Sequence, residues 1–320
     1  MPTIHRRAIL ALAAGACLAG SAAYAQEPFP NRPIKLVVPY APGAITDTAE
    51  RMSAVLGQQV VVDNRGGAGT RIGVQAVASA PPDGYTLLYV NSITHGSMPA
   101  MSKSLAFDPV KDFAPVAPLF WYANVFVCHP SVPANTIQEL VAYARQNPGK
   151  LTNATAGPGS GHDFAGSLFN SMTGANLLHV HYKGGGPALQ DVLAGHVSCI
   201  YGDGNAKPLV DAGKLKALAA AGPARDPVFP TVPTMDEAGV KGFSLPINHG
   251  IAAPAGTPPA VIARLNAAAN EALQQPQLQQ RARELGLVVA GGPPEKLAQV
   301  IQGDLAKFAR IAADAHIPKE

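Results

Sequence analysis

Ser160, His162 and Asp163 lie within four residues of one another, in the run Gly157-Pro158-Gly159-Ser160-Gly161-His162-Asp163. A serine, a histidine and an acid are the parts of an acyl-transfer relay, but that relay needs side chains brought together from separate turns of a fold. Residues packed this closely at a helix start do not reach that geometry, and the order around Ser160 is not the G-x-S-x-G of a nucleophile elbow. A glycine-rich turn that opens a helix instead presents backbone N–H groups and a serine hydroxyl to an anion such as a carboxylate. Plain capping of the helix would use the same residues. His179-Val180-His181 sets two imidazoles on one face of a strand, with His162 or His249 as third ligands for a metal. Neither stands at a fixed spacing from the pair, so these histidines read as buried or cleft-lining and no metal is expected. Gly67-Ala68-Gly69-Thr70-Arg71-Ile72-Gly73 follows a strand and opens a helix, as a dinucleotide fingerprint does. It is one residue longer than G-x-G-x-x-G, and no acid closes the following strand, so it reads as a tight turn with close helix–strand packing. No cofactor is expected.

The strongest binding signal is Ile34–Asp47, IKLVVPYAPGAITD. Ile34, Val37 and Val38 read as a buried strand and Thr46 onward as a helix. The turn between them, from Pro39 through Tyr40 to Gly43 and Ala44, has little side-chain functionality, so main-chain N–H groups and a helix N-terminus face whatever lies in front. No nucleophile with a base is present, which points to binding rather than catalysis. Asp47 sits in the first helical turn, where the dipole favours a carboxylate whether or not it also faces a ligand. Asn91, Ser92 and Thr94 follow the third strand and are placed either to contact a ligand or to cap a loop. Tyr182 precedes Lys183 and a triple glycine at a comparable position later in the chain.

These groups need a scaffold. Strands at 34–38, 59–63 and 85–90 alternate with helices, which implies parallel pairing with crossovers. Residues 97–118 read as irregular and proline-bearing. A second alternating set follows: strands at 125–129, 151–155, 177–181, 197–201 and 215–221, with helices at 137–146, 163–173, 187–194 and 207–211. Asn135 and Gln138 are spaced as a capping box. The tail is helical, with Thr257 as the expected cap, a restart at Pro276 and a last amphipathic helix over 294–315. Two such sets suggest two lobes with strand ends facing a cleft between them.

The N-terminus reads as a signal peptide, with a basic His5-Arg6-Arg7, an apolar Ala8–Ala19 and small-x-small cleavage after Ala25. Arg6-Arg7 leaves the twin-arginine route open beside general secretion. Cys17 falls in the removed part, because Ala14 stands where a lipobox has leucine. Cleavage removes two of the 24 basic residues and none of the 21 acids, leaving a nearly neutral chain of 295 residues. That balance argues against nucleic acid or an anionic membrane as partner. The remaining Cys128 and Cys199 sit in strand-like runs and read as buried free thiols, with pairing in an oxidising compartment as the alternative.

Over essentially its whole mature length the chain resembles the tripartite tricarboxylate transporter substrate-binding proteins, the Bug or TctC-like family. The resemblance is carried by FPNRPIKLVVPYAPGAITD, VVVDNRGGAGT, APPDGYTLLYVN, FDPVKDFAPVAPL, HPSVPANTIQEL, NPGKL, HVHYKGGGPALQDVLAGHV, AGKLKALA, FPTVPTMDEAG and APAGTPPAVIARLN, in that order. It implies an α/β, two-lobe periplasmic binding protein of type II-like form, each lobe a mixed, mostly parallel sheet flanked by helices. The first lobe would take residues 26–122 and 223–320, and the second 123–222. It further implies a non-enzymatic periplasmic receptor, acting as a monomer, that closes on a small organic acid and delivers it to membrane permease subunits. In that family the first turn holds a carboxylate through main chain and bridging water. The residues carried over are Tyr40, Gly43, Ala44, Ile45, Asp47, Asn91, Ser92 and Thr94 from one lobe and Ser160, Gly161 and His162 from the other. The chain departs from the family where Gly43-Ala44 replaces a glycine pair, at Ser160-Gly161-His162-Asp163, at Tyr201–Asn205 and at Asn248-His249. These departures imply a more polar pocket, with Asp163, Asp203 and His249 joining the expected contacts, and Tyr182 is expected there from its own loop. A ligand sensor for a signalling receptor needs the same cleft and stays open as an alternative; a periplasmic hydrolase is the more distant one.

Overall fold

A computed structural model describes residues 29–40 and 45–319. The expected signal peptide with Cys17, and Gly43 and Ala44 of the first turn, lie outside the described residues. The first half of the chain runs β1 (Ile34–Val38), α1 (Ile45–Leu56), β2 (Val60–Asn64), α2 (Arg71–Ala78), β3 (Thr86–Asn91), the short α3 (Met98–Met101) and β4 (Phe113–Tyr122). It continues through β5 (Val125–Cys128), α4 (Ile137–Gln146), β6 (Thr152–Thr155), α5 (Gly161–Thr173), β7 (Leu178–His181), α6 (Gly185–Leu193), β8 (Cys199–Gly202), α7 (Lys207–Asp211) and β9 (Lys216–Ala220). The last part holds β10 (Ile247–Pro254), α8 (Pro259–Leu273), α9 (Pro276–Glu284), β11 (Val288–Val289) and α10 (Pro294–Asp314).

Two mixed sheets result. One has the order β11-β4-β10-β3-β1-β2 and the other β7-β6-β8-β5-β9. β1 is parallel to β2 and β3, as the alternation of strand and helix requires, while β10 runs antiparallel to both β3 and β4. Helices cover both faces of the first sheet. Met52 and Leu56 of α1 pack with Leu265 and Ala269 of α8 on one side. On the other side Val74 and Val77 of α2 pack with Leu297 and Ile301 of α10. In the second sheet Phe126 and Tyr201 meet Leu140 of α4 and Phe164 and Phe169 of α5. Its other face takes Ala188 and Val192 of α6.

β4 and β10 were not expected from sequence. Pro115 and Pro118 lack the N–H that a ladder uses and so read as breakers. In the fold they stand opposite Ala252 and Gly250, beside two register irregularities that absorb the missing donors. Gly250 interrupts β10 because a Cβ there would fall 2.6 Å from Leu297 of α10. Two caps also move. The capping box is Thr136 with Glu139, one residue later than expected: Glu139 N–H donates to Thr136 Oγ1 at 3.1 Å, and Asn135 N–H to Glu139 Oε2 at 2.7 Å. The Thr257 hydroxyl donates to the Pro254 carbonyl at 2.7 Å and does not cap α8. Met235, Phe243 and Leu245 are buried in the core of the second sheet, together with Phe308 and Ile311 of the C-terminal helix.

Cys128 and Cys199 form a disulfide, which corrects the free-thiol expectation. Both do lie inside strands, but β5 and β8 are antiparallel neighbours and the two cysteines are register partners. The bond closes a separation of 71 residues. A Cys128→Ala/Cys199→Ala variant is therefore expected to lose about 4 kcal/mol of unfolding free energy through the freer unfolded chain. Urea unfolding of the two forms measures it, and two reactive thiols in the denatured, unreduced wild type would contradict the bond.

Candidate functional site

The N-terminus of α5 is built by its own turn. Ser160 Oγ accepts the Asp163 N–H at 3.3 Å and caps the helix. The Asp163 carboxylate reaches back to accept the Gly159 N–H at 3.0 Å and takes a hydrogen bond from His179 Nδ1 at 2.7 Å. Its acidity is set by burial, which raises its pKa, against these two donors, which lower it further and leave it below the usual carboxylate range. Asp163 thus holds the turn, with its oxygens committed inside the protein. His181 is likewise engaged, by Thr155 Oγ1 at 2.7 Å.

This turn faces the first lobe. A Cβ on Gly161 would lie 3.4 Å from Ile247 and 4.0 Å from both Asn124 and Ile93, ordinary contact distances, so the helix start abuts these residues. Ile93 follows β3, while Asn124 and Ile247 belong to the two places where the chain crosses between sheets. His162 is next in sequence. Its Nδ1 is buried without a partner among the described residues. Burial pulls its pKa down, and the Asp203 carboxylate pulls it back up by a smaller amount. Asp203 is exposed at the end of β8, where its Oδ1 accepts the Asn205 N–H at 2.9 Å.

From the first lobe, Asn91 ends β3. Its Oδ1 accepts three hydrogen bonds, from Ile93 N–H and Thr94 N–H at 3.0 Å each and from the Tyr40 hydroxyl at 2.8 Å. Its amide nitrogen has no partner among the described residues. Ser92 and Thr94 are buried, and both hydroxyls are spent internally. Thr94 Oγ1 donates to the Asn91 carbonyl at 2.9 Å, and Ser92 Oγ donates to Asp304 Oδ2 at 2.6 Å while accepting the Asn248 N–H at 2.8 Å. Asn248 Nδ2 also donates to Asp304, at 3.1 and 3.2 Å to its two oxygens. The Ile45 side chain is buried in the first-lobe core. Asp47 pairs with Arg281 of α9 at 3.7 Å, and the Tyr182 hydroxyl donates to Asp191 at 2.5 Å.

Sequence reasoning missed Tyr89 and Tyr122. His249 lies between their rings, stacked at centroid distances of 5.4 and 5.5 Å, with Nδ1 2.7 Å from the Tyr89 hydroxyl. The available signal was alternation: Tyr89 stands two residues before Asn91 on β3 and so shares its face. Burial lowers the pKa of His249 to about 4 and does the same to His95. Both imidazoles are neutral at pH 7.

Residues 45–316 match the sequence profile of the family described as tripartite tricarboxylate transporter family receptor, TctC. The chain belongs to this family. Among solved structures it is similar to the periplasmic binding protein BugD, with 34% identity and a TM-score of 0.76 over 91% of this chain and all of that one. It is also similar to R. palustris Rpa4515 with adipate, at 32% identity and TM-score 0.78, over 91% of this chain and 100% of that one. A third is MatC from Rhodopseudomonas palustris with bound malate, at 35% identity and TM-score 0.75, over 88% and 99%. TctC receptors are binding proteins, not enzymes.

In this TctC-family receptor two measurements probe the buried groups around the site. His95 and His249 titrate near 6.5 when unfolded and near 4 when folded, so the unfolded chain binds more protons between those values. Stability is retained above pH 6.5 and falls as pH drops toward 4, by up to about 2.7 kcal/mol per pH unit for the two together. Asp304, whose pKa burial raises, takes up its proton earlier in the folded chain and offsets part of the loss at the acid end. Urea midpoints measured from pH 8 to 5 report this, and a flat profile from 7 to 5 would count against neutral buried imidazoles. Asp304→Asn places an N–H₂ group against the Ser92 and Asn248 donors. It is expected to cost about 2 kcal/mol at pH 7, read from the same unfolding curves.

Proposed function

We propose that this chain is a periplasmic receptor that captures a small organic carboxylate between its lobes and delivers it to the permease subunits of a tripartite tricarboxylate-type transporter. The observation that carries this reading is the close approach of the α5 N-terminus, at Ser160, Gly161 and His162, to Ile93, Asn124 and Ile247 at the lobe junction. A helix start offers N–H groups and a favourable dipole to an anion, and a neutral His162 adds a donor without a fixed charge. Adipate and malate in the similar structures belong to the same ligand class.

The contacts we assign are main chain near Gly43, Ala44 and Ile45, the Ser160 hydroxyl, the Asn91 amide, Gly161 N–H and His162, with Asp47 and Asp203 at the rim. Tyr40, Ser92, Thr94, Asp163, Tyr182 and His249 act through these by holding their positions. Residues 1–25 direct export and are removed, the mature protein works as a monomer, and the two lobes close about the crossings near residues 122–125 and 220–247.

Refolded, ligand-stripped mature protein is screened by thermal shift against mono-, di- and tricarboxylates, with the corresponding amides as controls. An acid at a hundredfold above its Kd adds about 2.7 kcal/mol, or about 4 °C in Tm for a chain of this length. Equal shifts by acid and amide, or shifts by none of the acids, would sink the proposal.

A further inference from the structure

Asp203 is an exposed carboxylate held at a fixed place on the lobe junction. β8 runs parallel to β6, with Cys199 beside Asn153 and Ile200 beside Ala154, so the chain leaves both strands at the same edge of the sheet. Ser160, Gly161 and His162 follow β6 and Asp203 follows β8, and ligands of open α/β sheets lie outside such carboxyl ends. The antiparallel pairing of β8 with β5 narrows the position further. Gly202 is the register partner of Val125, which sets the next residue, Asp203, level with Asn124. Asn124 is the crossing residue that the start of α5 abuts. The loop is braced from the first lobe as well, since a Cβ on Gly204 would lie 3.7 Å from the Leu285 carbonyl between α9 and β11.

One oxygen of this carboxylate is unspent. Oδ1 accepts the Asn205 N–H at 2.9 Å, which orients the side chain, and Oδ2 has no partner among the described residues. No ion pair engages Asp203 among those residues either. Its field reaches both lobes. Burial pulls the pKa of His162 down and pushes that of Tyr122, at the end of β4, up to about 12; in each the next influence is Asp203, which raises both. A carboxylate in this position repels a second carboxylate and accepts a hydrogen bond from an N–H or O–H group. Both effects grow when a closing cleft displaces water.

We propose that Asp203 is a specificity-determining residue, so that the preferred ligand is an aliphatic acid with a single carboxylate and, at its far end, an N–H or O–H donor in place of a second carboxylate. The proposal rests on the carboxylate-receptor reading and specifies which acids that receptor turns away. Calorimetric titration of the mature protein at pH 7 compares succinate, glutarate and adipate with their half-amides succinamate, glutaramate and adipamate. At least one half-amide is expected to bind about tenfold or more tightly than its diacid. Asp203→Asn removes the charge and keeps an oxygen for the Asn205 N–H, and Asp203→Ser does the same with a shorter cap. Each should reduce the preference by about fivefold or more, chiefly by tightening the diacid, while the melting temperature holds. Diacids that bind as tightly as their half-amides in every pair, or a preference that both variants leave unchanged, overturn the filter and leave the receptor reading standing. Binding by other acids with none of the half-amides bound has the same meaning. No binding by any acid overturns both.

Discussion

The carboxylate of Asp304 is the fixed point about which the first lobe's half of the site is arranged. It is 5% exposed and lies on α10, 212 residues along the chain from Ser92 and 56 from Asn248. Burying a carboxylate is costly unless donors surround it. Here the donors define a direction: Asn248 N–H must donate to Ser92 Oγ, so the Ser92 proton is free only for Asp304. One acid thereby ties the loop after β3, the start of β10 and the C-terminal helix into a single unit. Asn91, which precedes that loop, can then spend its oxygen on the loop's own N–H groups and keep its amide hydrogens available.

Little formal charge is placed where the lobes meet. Burial keeps His162 below its ordinary pKa, and Asp203 is the nearest opposing influence on it. The tyrosine hydroxyls of 40 and 89 are bonded inside the lobe, and burial raises both pKa values. Helix starts and amide groups are fixed dipoles that bind an anion without presenting a bare cation to solvent. Such a site discriminates poorly among acids by charge alone. Where selectivity arises, it has to come from groups placed at a defined distance from the first carboxylate.

Much of the α/β scaffold was legible because it follows local rules. Ile34–Val38, Ile137–Gln146 and Lys207–Asp211 fell where their apolar spacing and turn residues put them, and most other elements of the alternating sets were displaced by a residue or two. β4 and β10 were not legible, because their pairing is justified only by each other: two prolines and a glycine become acceptable where register irregularities and α10 accommodate them. The disulfide failed for a related reason, since strand location was visible but antiparallel register was not. At the site, Ser160, Gly161 and His162 could be named from a glycine-rich turn. That Ser92 and Thr94 would face inward depended on Asp304 and on a one-turn loop geometry that no nearby residue announces.

The C-terminal helix ties the two sheets together. Phe308 of α10 stacks edge-on against Phe164 of α5 at 4.8 Å, in the core of the second sheet. The same ring lies so close to the loop after β3 that a Cβ on Gly96 would come within 2.7 Å of it. α10 is also bound to the first lobe through Asp304, four residues earlier. A ring wedged between a helix of one lobe and a glycine of the other does not tolerate wide separation, since close-packed contacts are lost outright when a gap opens. Phe308 therefore couples α5, in the core of the second sheet, to the loop after β3, and drawing either away from the ring would forfeit its contacts.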